Sequence, residues 1–340
     1  MSIRYPKALV FALISAALFA QVPSLDPNKD IASQIATNKL DSAEKIIVGR
    51  LVNQPRDADL ITFLAEVRLN QGRAEEALRL TEEAEHIGGP TPQRVQIAGL
   101  AESALGHLAP AEMDFRRAIE LDPKFVPAHY FLARLLYTRN RFDEAIQESK
   151  ATIALSPDFV RAYENLGLCY EGKDDPKKAE EWYREAIRRN MESPSKTEWP
   201  MLDFATLLIR QDRIDEARPY LEQALALNPN NAQSHFQMGT LLEKAGNLQT
   251  SLDELKIAIK LDGKLSTALY RAARVCQKLG REEEAQRYFD EYKKLSENKH
   301  SRLGSERSGY FVFFLCCAPV VHLCARSVSG RRNLFRTGER

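Results

Sequence analysis

Apolar residues recur every three or four positions along most of the chain, and short polar breaks interrupt the recurrence at regular intervals. Over residues 128–139, Phe131, Leu132, Leu135 and Leu136 share one face of a predicted helix. Asn140-Arg141 breaks the run, and residues 143–155 resume it with Ala145, Ile146 and Ile153. Ser156-Pro157 then closes the unit, because the residue before a proline is pushed out of the helical region. Asp122-Pro123 and Asn228-Pro229 close other units in the same way. The pattern predicts a series of helix pairs.

The pairs repeat with a fixed period. Ala43, Ala77, Ala111, Ala145 and Ala179 are 34 residues apart, and after one step of 38 come Ala217, Ser251 and Ala285. Twelve positions before the last seven of these lie Ala65, Gly99, Ala133, Gly167, Ala205, Gly239 and Ala273. A third column holds Ala84, Ala118, Thr152, Ala186, Ala224 and Ala258. Small side chains at fixed places have a physical cause: where helices cross closely, only they let the backbones approach. A unit this short cannot bury its apolar face alone, so neighbouring units must stack and share one core.

Tyr163-x-x-Leu166-Gly167-x-x-Tyr170, followed by Ala179, Tyr183 and Ala186, resembles the tetratricopeptide repeat, as does the stretch Asn140-Arg141-Phe142-Asp143-Glu144-Ala145. The resemblance covers about residues 40–295 and implies an all-α fold, a right-handed superhelical solenoid of stacked two-helix units. It sets the domain plan: a degenerate N-terminal capping repeat over 24–57, seven units over 58–299 and an irregular tail over 300–340. In the first unit only the second helix, over 40–52, is clear from sequence. A four-residue insertion carrying Pro194 and Pro200 falls near 191–200, and the final helix is predicted over 282–295.

In this family the first helix of each unit lines an inner groove. Carried onto this chain, the resemblance implies groove positions at Tyr130, Phe131, Arg134 and Tyr137, then Arg161 and Asn165, then Trp199 and Arg210, then Phe236 and Gln237, and finally Tyr270, Arg271 and Arg274. Aromatic residues and arginine dominate binding hot spots. The alternative is that the aromatics fill gaps between helices while the arginines pair with nearby acids. Repeats that clamp the C-terminal carboxylate of chaperones need Lys and Asn on the helix before Asn165; Tyr130 and Arg134 stand there, so that ligand is not expected.

Searching for chemistry leads to no catalytic, cofactor or metal expectation. The six histidines are scattered without metal-ligand spacing, and there is no glycine-rich phosphate loop or nucleophile elbow. Residues 21–300 carry 39 bases and 45 acids, a net of −6 against +1 for the whole chain, which argues against nucleic acid as the main partner. The expected partner is a protein or peptide. The five cysteines form no paired framework, and Cys169 and Cys276 fall inside helical patterns as small buried hydrophobes.

Both ends carry segments of another kind. Arg4 and Lys7 precede an apolar run over 8–20 with Ala16, Ala17 and Ala20 near its end, the order of an export signal over 1–20; an uncleaved anchor is the alternative. Residues 310–325 are almost wholly apolar, and five arginines follow them. Three readings stay open for this tail: a membrane anchor, a non-native or unstructured end, and a docked terminal helix. The expected function is that of an exported scaffold or adaptor binding a protein or extended peptide in its groove, periplasmic or secreted. Its rival is a membrane-tethered accessory subunit of a secretion, assembly or enzyme complex.

Overall fold

The computed structural model describes residues 27–303, with side chains from 28 to 297; the export signal over 1–20 and the apolar segment over 310–325 lie outside them. Among the described residues there are sixteen α-helices, no strand, and no helix long and apolar enough to cross a membrane. They fall into two compact units that divide after Gly89. The first unit contains α1 (Pro27–Ala36), α2 (Leu40–Leu51), α3 (Ala58–Asn70) and α4 (Ala74–Gly88). The second contains α5 (Pro92–Leu105), α6 (Leu108–Leu121), α7 (Val126–Thr138), α8 (Phe142–Leu155), α9 (Val160–Gly172) and α10 (Pro176–Glu192). It continues through α11 (Trp199–Arg210), α12 (Ile214–Leu227), α13 (Ala232–Lys244), α14 (Leu248–Leu261), α15 (Ser266–Lys278) and α16 (Glu282–Leu303).

Each odd-numbered helix pairs with the next, and one backbone device closes every pair. A residue one or two positions beyond the first helix takes positive φ at Asn38, Gly72, Gly106, Asn140, Asp174, Asp212, Gly246 and Gly280. The N–H that follows reaches back five residues, as Arg141 N to Leu136 O at 2.9 Å and Arg213 N to Leu208 O at 2.9 Å. This satisfies a terminal carbonyl while reversing the chain. Only Gly, Asn and Asp occupy the column, because other side chains crowd the backbone in the left-handed region.

The small-residue columns meet large partners sixteen positions later. Gly99 faces Phe115, Gly167 faces Tyr183 and Gly239 faces Leu255, each so closely that a methyl group would collide. Ala65 and Ala133 stand where the residue sixteen later is the small Thr81 or Ser149. Volume therefore alternates across the crossing, and the core stays dense. Between pairs, His129 Nε2 donates to Pro123 O (3.1 Å), Tyr163 Oη to Pro157 O (2.9 Å) and His235 Nε2 to Pro229 O (3.0 Å), so at these three junctions one side chain holds the incoming turn.

Three sequence expectations change. The first pair has both helices: Ile31 and Ile35 of α1 are buried in one cluster with Ala43, Ile47, Leu60 and Val67. The insertion lengthens α10 to 17 residues, against 14 in α6, α8, α12 and α14, instead of simply enlarging the loop. Buried Asn190 holds the end of that extension, donating to Thr197 O (2.7 Å) and accepting from Thr197 N (3.0 Å). The last helix also runs past the expected 295, to Leu303.

Candidate functional site

Within the second unit, wherever alternate helices touch at several positions the contact is first helix to first helix, as α7 with α9, α9 with α11 and α11 with α13. The odd-numbered helices therefore lie on the inner side of the stack. Helical spacing sets their inner faces: Tyr130, Arg134 and Tyr137 on α7, Arg161 and Glu164 on α9, Asp203 and Arg210 on α11.

At the centre of this face is a buried ionic patch. Arg134, Arg161, Glu164 and Asp203 lie close enough to feel one another's charge, and Glu198 joins from the turn before α11. Glu164 is only 7 % exposed and Asp203 is half-buried. Burial raises the Glu164 pKa, Arg161 and Arg134 oppose the rise, and Glu198 adds to it. Asp203 is pushed up to about 8, by burial first and then by the nearby Glu164 carboxylate. Burial works against the Arg161 charge too, but Tyr130, which takes a hydrogen bond from it, and Glu164 leave its pKa raised. Glu198 is held from the following junction, accepting from Asn228 Nδ2 (2.8 Å) and Asn231 Nδ2 (2.7 Å).

Neither Glu164 nor Asp203 accepts a hydrogen bond from any described residue, and Glu164 Oε1 is shut away from solvent. Buried acceptors of this kind are uncommon, since each gives up its hydration without replacement. Around the patch, Tyr137 is partly buried with a raised pKa, burial being the main cause and Cys169 the next. Burial pushes the Cys169 thiol up to about 12, so it is a core group and not a nucleophile. Arg210 pairs with Glu171 at the edge.

The structure sorts the groove positions implied by the repeat. Tyr130, Arg134, Tyr137 and Arg161 come together at the patch. Phe131 is instead core, 3 % exposed and stacked on Phe115 with centroids 6.0 Å apart. Asn165 is fully buried and donates to Ser149 Oγ at 2.8 Å. Phe236 belongs to the core cluster of α13–α16, and Gln237 is buried beside it in sequence. Trp199 packs partly buried against the core of α10–α13. Arg271 lies over the Phe236 ring (5.5 Å) and pairs with Glu243 (2.8 Å). Tyr270 is 46 % exposed and leans on Phe289 and Tyr292 of α16, while Arg274 is exposed. Gap-filling aromatics and paired arginines thus account for much of the set.

Glu164, Asp203 and Glu198 were not among the expected positions. Asp203 had a legible signal, as the one charged residue in the mostly apolar run from Trp199 to Ile209. Glu164 had a weaker one, three residues after Arg161 on the same face.

Comparison with known proteins agrees with this architecture. The chain is 22 % identical over 269 residues to the CTR9 homologue of Arabidopsis thaliana, a match covering 67 % of this chain and 25 % of that one. It is 27 % identical over 188 residues to anaphase-promoting complex subunit 3 of Schizosaccharomyces pombe (54 % and 28 %) and 27 % identical over 152 residues to the type IV pilus assembly protein PilF of Pseudomonas aeruginosa (43 % and 57 %). The chain thus spans only about a quarter to just over half of the length of these relatives. Among solved structures, a tetratricopeptide repeat protein from Parabacteroides merdae superposes with a TM-score of 0.58 at 15 % identity, covering 74 % of this chain and 97 % of that one. The Cut9 and Hcn1 hetero-tetramer of the anaphase-promoting complex gives 0.55 at 16 % (77 % and 51 %), and these likenesses concern fold alone. Models of the tetratricopeptide repeat match residues 62–83, 98–158, 158–230, 202–265 and 266–299, well over half of the chain. With its stacked hairpins and 34-residue period, the chain belongs to the tetratricopeptide repeat family.

Proposed function

We propose that this chain is a scaffold that binds a protein partner, or an extended peptide from one, along the inner face of α7, α9 and α11. Tetratricopeptide repeats typically serve as non-catalytic scaffolds for protein interactions. What supports the location is one observation: the ionic patch of Arg134, Arg161, Glu164 and Asp203, drawn from three successive first helices on the side where those helices converge. A patch with that much charge gains nothing for packing, and its polar groups give direction to a bound chain. The residue order of 1–20 supports export, with a mature protein beginning near Gln21. Partners captured by the full chain and identified by mass spectrometry would be retested with Arg134, Tyr137 and Arg161 changed to Ala. Binding should weaken by more than about 2 kcal/mol, whereas changing exposed Lys177, Glu181 and Glu222 should have little effect. The opposite order would refute the location.

A second reading, an accessory subunit of a membrane-bound assembly, is favoured by the likeness to a pilus assembly protein and by the apolar run over 310–325. Carbonate-resistant membrane association that disappears when 301–340 are deleted would establish it. Extraction of the full chain with carbonate would remove it.

A further inference from the structure

We propose that Glu164 and Asp203 form a subsite for a basic side chain, lysine or arginine, presented by the peptide that occupies this face. The inference rests on the groove reading above and adds the chemistry of one contact within it.

Glu164 leaves acceptor capacity unused in the patch. Glu164 is 7 % exposed, its Oε1 is closed off from solvent, and its carboxylate takes no hydrogen bond from a described residue. Asp203, on the first helix of the next pair, is half-buried, likewise takes no hydrogen bond from a described residue, and lies near enough to Glu164 for the two charges to repel. Of the arginines, Arg161 already donates to the Tyr130 hydroxyl and faces both carboxylates. With every group ionised, Arg134 and Arg161 stand against Glu164, Asp203 and Glu198, a net of −1. The free chain relieves that excess by keeping the Asp203 proton up to about 8, and an added cation lets Asp203 ionise and balances the patch.

A guanidinium or ammonium supplies what is absent: a positive charge and several N–H donors with no acceptor of its own. The partly buried Tyr137, which senses the Asp203 charge, borders the same place. A metal ion fits less well, because among the described residues no three carboxylates, histidines or cysteines are grouped to hold one. A carboxylate ligand would add a further negative charge beside Glu164 and Asp203.

The test is a selection of random heptapeptides with blocked ends on the full-length chain, followed by affinity measurements on the peptides obtained. Lysine or arginine is expected at one fixed position. Glu164→Gln combined with Asp203→Asn should weaken these peptides at least tenfold. Replacing the basic residue by citrulline or alanine should cost as much with the wild type and less than twofold with the double variant. The double variant should melt no lower than the wild type at pH 7, so that lost binding is not lost folding. Peptides that bind without a basic residue, or that the double variant holds within twofold, overturn the proposal. The groove reading then survives if Arg134→Ala or Tyr137→Ala still weakens them. If no peptide is selected, or no change on this face affects binding, both fail.

Discussion

A single methyl group added at Gly167 provides a stringent test of how the hairpins pack. A Cβ built there would lie 2.5 Å from Cε1, 2.6 Å from Cδ1 and 2.8 Å from Cζ of Tyr183. That ring has little room to retreat, being fully buried with Phe204 beside it at a centroid distance of 6.3 Å. Overpacking of this kind costs about 1–3 kcal/mol. Alanine recovers up to about 1 kcal/mol over glycine through helix propensity, so Gly167→Ala alone should destabilise by about 0–2 kcal/mol. The informative number is the coupling. Tyr183→Leu copies the Ala205–Leu221 combination found at the same place in the next hairpin. In that background Gly167→Ala should be neutral or stabilising by up to about 1 kcal/mol, giving an interaction energy of about 1–3 kcal/mol across the cycle. Urea unfolding followed by far-UV circular dichroism measures it, with m-values compared because a repeat array need not unfold in one step. A coupling below about 0.5 kcal/mol would show that the glycine is not there to admit the tyrosine ring.

Buried His129 touches Glu148 Oε2 through Nδ1 (2.7 Å) and Pro123 O through Nε2 (3.1 Å), so the protonated ring satisfies both acceptors and its pKa is raised, the Glu148 hydrogen bond being the main cause. Its stabilisation is complete below the unfolded value of about 6.5 and is lost as pH rises through the folded value. Melting temperatures of the wild type should therefore fall relative to His129→Tyr, the residue type of the next hairpin, between about pH 6 and pH 8, and a difference independent of pH would refute this. Asp203 has the same sign for another reason: its folded carboxyl holds its proton up to about 8, so stability declines as pH climbs from the ordinary carboxylate range towards that value. Asp203→Asn should flatten that decline and raise the melting temperature at pH 7; a lower melting temperature there would contradict it. At the left-handed turn positions, Gly106→Val should cost about 1–2 kcal/mol or more in chemical denaturation, while Asp212→Gly should be close to neutral, and equal effects would deny the special role of φ at these sites. Asn190→Ala leaves the Thr197 amide and carbonyl without their partners and should destabilise by about 1–3 kcal/mol.

Much of this molecule was legible from spacing alone. Helical recurrence of apolar residues, proline after most pairs and columns of Ala and Gly at a 34-residue period have one packing solution, because a short hairpin must stack to bury its face. The turn column of Gly, Asn and Asp was equally readable, since a left-handed residue admits few others. Helix α1 was obscure, as its ten residues contribute two deeply buried isoleucines and little periodicity. The candidate site followed different rules. The repeat resemblance placed Phe131, Asn165 and Phe236 on the first helices, but a helix has two buried sides, and only tertiary packing decided that these three turn into the core. The same packing brought Arg134, Arg161, Glu164 and Asp203 from three separate hairpins into one patch. Local sequence sets which face a residue takes on its own helix. Burial, and the charges it must answer to, depend on neighbours one repeat away.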